Sequence, residues 1–224
     1  MKNILAWYKS VGIENLMLDS NDNSKTMNNI QNYSIAQESA SETHLKKLSD
    51  IKNENELKQF LESIDCELKK QATNMVFGHG NPAPDIVLVG EAPGKDEDAS
   101  GLPFVGQSGQ LLTNILLSVN LSRDEVYITN VIPWRPLNNR TPSTDEISFF
   151  TPFLIKHIEF LNPKIIITLG SVATKALLNS SESMLSLRGK WQNLQINKKN
   201  IPVMPTYHPS YLLRSSSNKK VVWI

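Results

Sequence analysis

The sequence predicts a three-layer α/β fold, with a central four-stranded parallel sheet covered by helices on both faces. Three observations predict it. Four short apolar runs rich in β-branched residues stand at Ile86–Val89, Val126–Thr129, Ile165–Leu169 and Ile201–Met204, and unbroken apolar runs of that length suit strands buried on both faces. They recur roughly every forty residues, a spacing that allows a crossover rather than a hairpin. Helical periodicity fills the intervals, at about 108–119, 144–160 and 171–179, and helical crossovers between parallel strands are right-handed.

In chain order, residues 1–17 place Ile4, Leu5, Tyr8, Val11 and Leu16 at the spacing of a short amphipathic helix. Residues 18–42 are rich in Asn, Ser and Asp and read as a flexible linker. The main domain then spans 43–224. It opens with a helical pattern from about Thr43 to Leu68 that carries Leu45, Leu48, Ile51, Leu57, Phe60, Leu61 and Ile64. The helix expected at 144–160 starts with Ser143 and Glu146 at the spacing of a capping box.

Composition narrows the function classes. The chain has 224 residues, 40% of them hydrophobic, enough for one ordinary domain with an extension. No run approaches the roughly 20 apolar residues of a membrane span. The opening MKNILAWYKS has too short an apolar run, broken by Lys9, for a secretory signal. A soluble, cytoplasmic monomer is expected. The lone cysteine, Cys66, excludes an internal disulfide and any multi-cysteine metal site. The net charge of +1 hides an uneven distribution. No acid follows Glu182, whereas Arg188, Lys190, Lys198, Lys199, Arg214, Lys219 and Lys220 do. A basic end suits a polyanion, although charge alone favours a solvated surface.

Open α/β sheets bind ligands beyond the carboxyl ends of their strands. The four strands run into Gly90-Glu91, Asn130, Gly170-Ser171 and, past Pro205-Thr206-Tyr207, His208. A carboxylate, an amide and an imidazole are therefore expected at one sheet edge. The glycines of GEAPGKDED and SGLPFVGQSGQLL, namely Gly90, Gly94, Gly106 and Gly109, allow tight turns and close backbone approach. Neither GxGxxG nor a P-loop is present. Asp96, Glu97 and Asp98 read as a metal cluster or, more commonly, as a solvated loop. Asn130 can pair with a cyclic imide, whose N–H and carbonyl complement the amide, or it can cap its strand. A neutral His208 can donate to a carbonyl oxygen on which charge develops. Ser210 can bond a phosphate, while Tyr211, Leu212 and Leu213 can wedge into a base stack or belong to the core. His44, His79 and His157 read as structural or surface residues.

The blocks GEAPGKDED, GLPFVGQSGQLL, YITNVIPWRP-NNR and HPSYLLR resemble the signature blocks of the family-4 uracil-DNA glycosylases, in that family's order and spacing, from about residue 63 to 220. The N-terminal LAWYKSVGIENL and its linker are similar to the extension of proteobacterial members. The resemblance implies hydrolysis of the N-glycosidic bond of deoxyuridine in DNA, the first step of base-excision repair, on a base extruded from the helix. It implies that Phe104 stacks on uracil, Asn130 reads the imide edge and His208 stabilises the departing anion. Ala92 and Pro93 line the pocket. Glu91 is the better candidate to orient or activate water, while Glu97 either helps the water or crowds the edge where thymine carries its methyl. Arg135, Arg140 and Arg214 are candidates for phosphate contacts together with Ser108 and Ser210, and Leu212 or Leu213 for the wedge. No metal or organic cofactor is required by such chemistry.

Two departures matter. Typical members of that family hold a four-iron–four-sulfur cluster through four cysteines, whereas the corresponding positions here are Ser63, Cys66, Trp134 and Phe150. One thiolate cannot hold such a cluster, so packing is expected to fill its space. A related subgroup traps the sugar covalently through a histidine in an inserted loop, and RPLNNRTP has neither insert nor histidine. Ordinary hydrolytic turnover is expected. The competing readings are a uracil- or damaged-DNA-binding protein without turnover, favoured by an end at VVWI where relatives continue a helix, and a metal-dependent nucleotide hydrolase using the DED run.

Overall fold

A computed structural model describes residues 48–215 together with 218 and 219. The helix and linker expected over 1–17 and 18–42 lie outside the described residues. The elements are α1 (Glu54–Ser63), α2 (Glu67–Gln71), β1 (His79–Gly80), β2 (Ile86–Gly90), α3 (Lys95–Ser100), α4 (Gln107–Ser118), β3 (Tyr127–Asn130), α5 (Thr144–Leu161), β4 (Ile165–Leu169), α6 (Ser171–Leu178), α7 (Met184–Leu187), β5 (Gln192–Ile196), β6 (Lys199–Thr206) and α8 (Pro209–Arg214). Short 3₁₀ turns at Arg123–Glu125 and Leu137–Asn139 flank β3 and its outgoing loop.

The sheet has the order β1-β3-β2-β4-β6-β5. Its four central strands are parallel, as expected, because each is buried and joined to the next by a helix. Two antiparallel edges add to them. β1 is two residues long and too short to leave a pattern. β5 reads QNLQI, a polar run in which only Leu194 and Ile196 are buried, and Asn197, at φ 55°, turns it into β6. This hairpin lengthens the last strand to Lys199–Thr206.

Side chains alternate across the sheet. Val87, Val89 and Ile166 face a core built with α1, α5 and α6, whereas Ile86, Leu88 and Ile128 face a smaller one with α4. α8 lies over α4 on the second face, above an apolar seam of about 50 Å³. Ser143 caps α5 and Glu146 completes the box, with the Ser143 N–H donating to the Glu146 carboxylate at 2.7 Å. The single helix expected from 43 to 68 is broken, and residues 43–47 lie outside the described ones. Asn53 accepts from the Glu56 N–H and starts α1, while Ile64 turns extended, at ψ 130°, to bury its side chain before α2. Among the described residues no helix is long and apolar enough to cross a membrane.

α1 is tied to the sheet by a buried polar contact. The Tyr127 hydroxyl donates to Glu54 Oε1 at 2.8 Å, and His157 Nε2 lies 3.1 Å from the same oxygen while its ring stacks on Phe77 at 4.1 Å. His157 is thus structural, and His79 is an exposed edge residue. The bond to His157 holds the Glu54 carboxyl below the usual value of 4.5. Its stabilisation is present above that value and lost as pH falls through the lower folded one. Replacing Tyr127 with Phe removes one donor from Glu54 and is expected to lower stability by about 1 kcal/mol, read as a lower urea midpoint at unchanged slope.

Candidate active site

The strand register brings the expected polar groups together. Gly90 and Asn130 are paired neighbours at the ends of β2 and β3. The two chains stay parallel beyond the sheet, with Val131 N donating to Gly90 O and Ile132 N to Glu91 O. On the other side of β2, the Gly170 N–H donates to Thr206 O at 2.9 Å, and the chain past β6 reaches His208 at the start of α8. An open cleft of about 870 Å³ lies over these ends, within the usual range for ligand sites. Glu91, Ala92, Pro93, Glu97, Phe104, Ser108, Asn130, Arg140, His208, Ser210, Leu213 and Arg214 line it.

Its floor is built by close approach. A Cβ on Gly90 would stand 2.4 Å from Asn130 Oδ1 and 2.6 Å from the Phe104 ring. Any other residue there would push both groups away. Asn130 is 5% exposed and its Oδ1 has no hydrogen-bond partner. A buried acceptor left unpaired costs about 1–3 kcal/mol, so this atom is set for an N–H from a ligand. The Phe104 ring lies 5.6 Å from that of His208, tilted by 33°.

His208 is held in one protonation state. Its Nδ1 accepts the Ser210 N–H at 3.1 Å and lies 2.8 Å from Ser210 Oγ. The ring proton of the neutral form is therefore on Nε2, which is free to donate. Burial, and then the nearby Arg214 charge, lower its pKa from 6.5 to about 4, with Glu97 opposing. Gly170 admits this arrangement, since it has φ 93° and its Cβ would fall 2.9 Å from that of His208. Glu91 differs, because burial alone pushes its carboxyl above 4.5.

Two carboxylates of the acidic run bind loop backbone, while Asp96 lines the cleft. Glu97 Oε1 accepts from the Val105 and Gly106 N–H groups at 2.9 and 3.0 Å, and its Oε2 accepts from Gly94 at 3.1 Å. It ties the first glycine loop to the second. Asp98, 5% exposed, accepts from the Thr73 and Asn74 N–H groups. Among the described residues no three His, Cys, Asp or Glu side chains gather as metal ligands.

The loop candidates separate. Leu212 is 2% exposed and lines the apolar seam under α8, so the wedge expected of Leu212 or Leu213 is available only to Leu213, which is 40% exposed on the cleft rim. Arg135 is not among the cleft-lining residues. Its Nε donates to Asn139 Oδ1 at 2.7 Å, and its Nη1 stands 3.9 Å from Asp98. Arg140 lines the cleft but is bonded by both nitrogens to Glu146, at 2.8 and 2.6 Å. Sequence reasoning missed Met184 and Leu185 of α7, which form part of the cleft wall. A four-residue helix leaves no periodicity to find them by.

The four positions expected to correspond to cluster ligands do not present a thiolate set. Trp134 and Phe150 are 3% and 2% exposed, and their rings pack at 5.6 Å. Ser63 Oγ donates to Phe60 O, and burial raises the Cys66 thiol above its ordinary pKa. One thiol of raised pKa, a serine and two buried aromatic rings supply no thiolate set.

These groups predict the pH profile of turnover. His208 should add no inflection to the rate near 6.5, where a free histidine titrates. On acidification Glu91 protonates first, above 4.5, and His208 only near 4. The unfolded chain binds a proton on His208 at higher pH than the folded one, so the His208 contribution to stability is lost as pH drops from 6.5 toward 4, while the raised Glu91 pKa contributes with the opposite sign. Steady-state rates and denaturation midpoints across this range check both.

The uracil DNA glycosylase superfamily model matches residues 77–223. The chain is 43% identical over 162 residues to the type-4 uracil-DNA glycosylase of Sulfurisphaera tokodaii, covering 70% of this chain and 74% of that protein. It is 44% identical over 155 residues to that of Thermotoga maritima, covering 69% and 79%, and 38% identical over 173 residues to that of Archaeoglobus fulgidus, covering 75% and 84%. The matched stretch contains all four strand ends and the cleft they form. A shared sheet edge, an unpaired amide acceptor and identity near two-fifths over two-thirds of the sequence lead to one conclusion: the chain belongs to the type-4 uracil-DNA glycosylases.

Proposed function

We infer that the protein removes uracil from DNA by hydrolysing the N-glycosidic bond, which leaves an abasic site and starts base-excision repair. The observation that carries this reading is the buried, unpartnered Asn130 Oδ1 at the floor of the cleft. Uracil presents an N–H beside a carbonyl, which an amide matches with its oxygen and NH₂. Cytosine reverses both polarities and would leave the amide unpaired. Phe104 supplies the face on which the extruded base stacks, and Ala92 and Pro93 close the pocket beside it.

The C1′–N1 bond breaks with both electrons leaving on the base, so negative charge develops on the uracil carbonyl oxygens and positive charge at the sugar. His208 Nε2–H donates to the 2-carbonyl as that charge grows. A fixed neutral donor in a desolvated site needs no reorganisation, and one such donor contributes about 10²–10³ in rate. Glu91, with no bonded partner among the described residues, orients the water and balances charge at the sugar when ionised. Water adds to C1′ and passes its proton to the ionised Glu91 carboxylate, and the uracil anion takes a proton from solvent on release. Glu97 is a positioning residue that fixes the loop carrying Phe104.

Leu213 is the wedge that holds the stack open. Ser108, Ser210 and Arg214 meet the phosphates, with Arg140 joining them at the loss of its Glu146 pairing. The glycosylase domain begins near residue 43, a boundary supported by the Glu54 contact of α1 with the sheet. It acts as a monomer. The protein belongs to the members without the full cysteine set and works without an iron–sulfur cluster, which the packing of Trp134 against Phe150 supports.

The test is a labelled oligonucleotide with one uracil, incubated with EDTA and then cleaved by alkali. Strand breaks are expected with the wild type. His208→Ala should lose about 10²–10³ in kcat, and Asn130→Ala about 10² or more in kcat/KM. Uracil-specific binding without breaks would instead indicate a binding protein, and loss of activity in EDTA a metal-dependent hydrolase. Purified protein should lack stoichiometric iron and the broad absorbance near about 400 nm of a cluster. A brown preparation with that iron content would overturn the cluster-free reading.

A further inference from the structure

Phe104 holds its ring in the cleft from a backbone of φ 53°. This left-handed region is unfavourable for a bulky residue, and it persists only where the surroundings impose it. Two neighbours do so. Gly109 approaches from one side so closely that a Cβ would stand 1.8 Å from Phe104 O. Arg123 approaches from the other. Its Nη1 donates to Phe104 O at 3.0 Å and its Nη2 to Pro103 O at 2.7 Å. Nη1 also lies 3.4 Å from Thr113 Oγ1, which donates to Gly109 O at 3.0 Å.

The guanidinium is half-buried, and burial pushes its pKa below the ordinary value. A surface arginine holding a loop at random would not accept that desolvation. Arg123 sits on the 3₁₀ turn that leads into β3, and β3 ends at Asn130. A single strand thus carries the clamp on Phe104 at one end and the amide beside the Phe104 ring at the other.

We propose that Arg123 is a positioning residue of the glycosylase reaction, whose planar fork on the Pro103 and Phe104 carbonyls holds the strained loop and so sets the Phe104 ring against the extruded base. The proposal rests on the reading of Phe104 as the stacking platform. Only the delocalised fork meets two successive carbonyls with two parallel N–H groups. A lysine ammonium lacks that planar geometry and sits on a flexible stem.

The experiment is a double-mutant cycle on turnover of a single-stranded uracil oligonucleotide, using Arg123→Ala, Phe104→Ala and the double variant, with thermal midpoints recorded for each. Arg123→Ala is expected to lower kcat about 30-fold with KM within about twofold, the signature of a misplaced reacting group. In the Phe104→Ala background the same change should cost less than about threefold, because the ring it places is gone. Arg123→Lys, which keeps the charge and one donor, should recover about a third of the lost rate and serves if the alanine variant does not fold.

Wild-type kcat in Arg123→Ala overturns the proposal. Equal losses in both backgrounds overturn it too, because they mean a structural effect unrelated to Phe104. If Phe104→Ala itself keeps wild-type kcat, the platform reading fails and the proposal with it. A wild type inactive on uracil DNA would instead remove the glycosylase reading that underlies both.

Discussion

Everything at the cleft depends on how near the Asn130 amide and the Phe104 ring come to the Cα of Gly90. Parallel register makes Gly90 and Asn130 neighbours, and the missing Cβ lets Phe104 descend onto the same spot. The amide is then buried with its oxygen unpaired. That arrangement is costly in the free protein and favourable once a flat imide ring fills it. Loops bring the other groups to this point. Glu97 ties two of them together with three backbone N–H groups, and Gly170 gives His208 its room.

The electrostatics follow from the same burial. His208 and Glu91 both lose water, and each shifts toward its neutral form, one pKa down and the other up. For the imidazole this is useful, because a neutral donor strengthens as charge appears on the base, without first being drawn toward phosphates. The Ser210 N–H fixes which nitrogen carries the proton. A desolvated carboxylate such as Glu91 gains more from a nearby positive charge than one in water does.

Away from the cleft, a cluster of aromatic rings holds the loop that leaves β3. Trp134 follows the loop out of β3 and meets Phe150 of α5, and Phe149 and Phe153 extend the cluster at ring distances of 4.9 and 6.3 Å from Phe150. Aromatic rings there hold the β3 loop to α5 by buried apolar area and edge contacts, each worth about 0.5–1.5 kcal/mol beyond area. The same loop carries Arg140 to the cleft and Arg135 toward Asp98. Its position therefore rests on aromatic packing against α5.

The sequence by itself determined the α/β class, the four parallel strands and the meeting of Glu91, Asn130 and His208 at one sheet edge. Buried strands and helix caps are local signals, and the ligand edge of such a sheet follows from strand direction alone. Ile165–Leu169 is observed as expected, and the Ser143 cap opens α5. Only the tertiary structure decided what depends on contacts between distant segments. It broke the helix expected over 43–68 at Ile64, since that side chain finds its burial outside the helical path. It added β5, whose polar residues become a strand only by pairing with β6. It turned Leu212 inward and Leu213 outward, because one turn of α8 has a single buried face. It gave Glu97 and Arg123 their partners 8 to 20 residues away, in loops whose geometry no periodicity records.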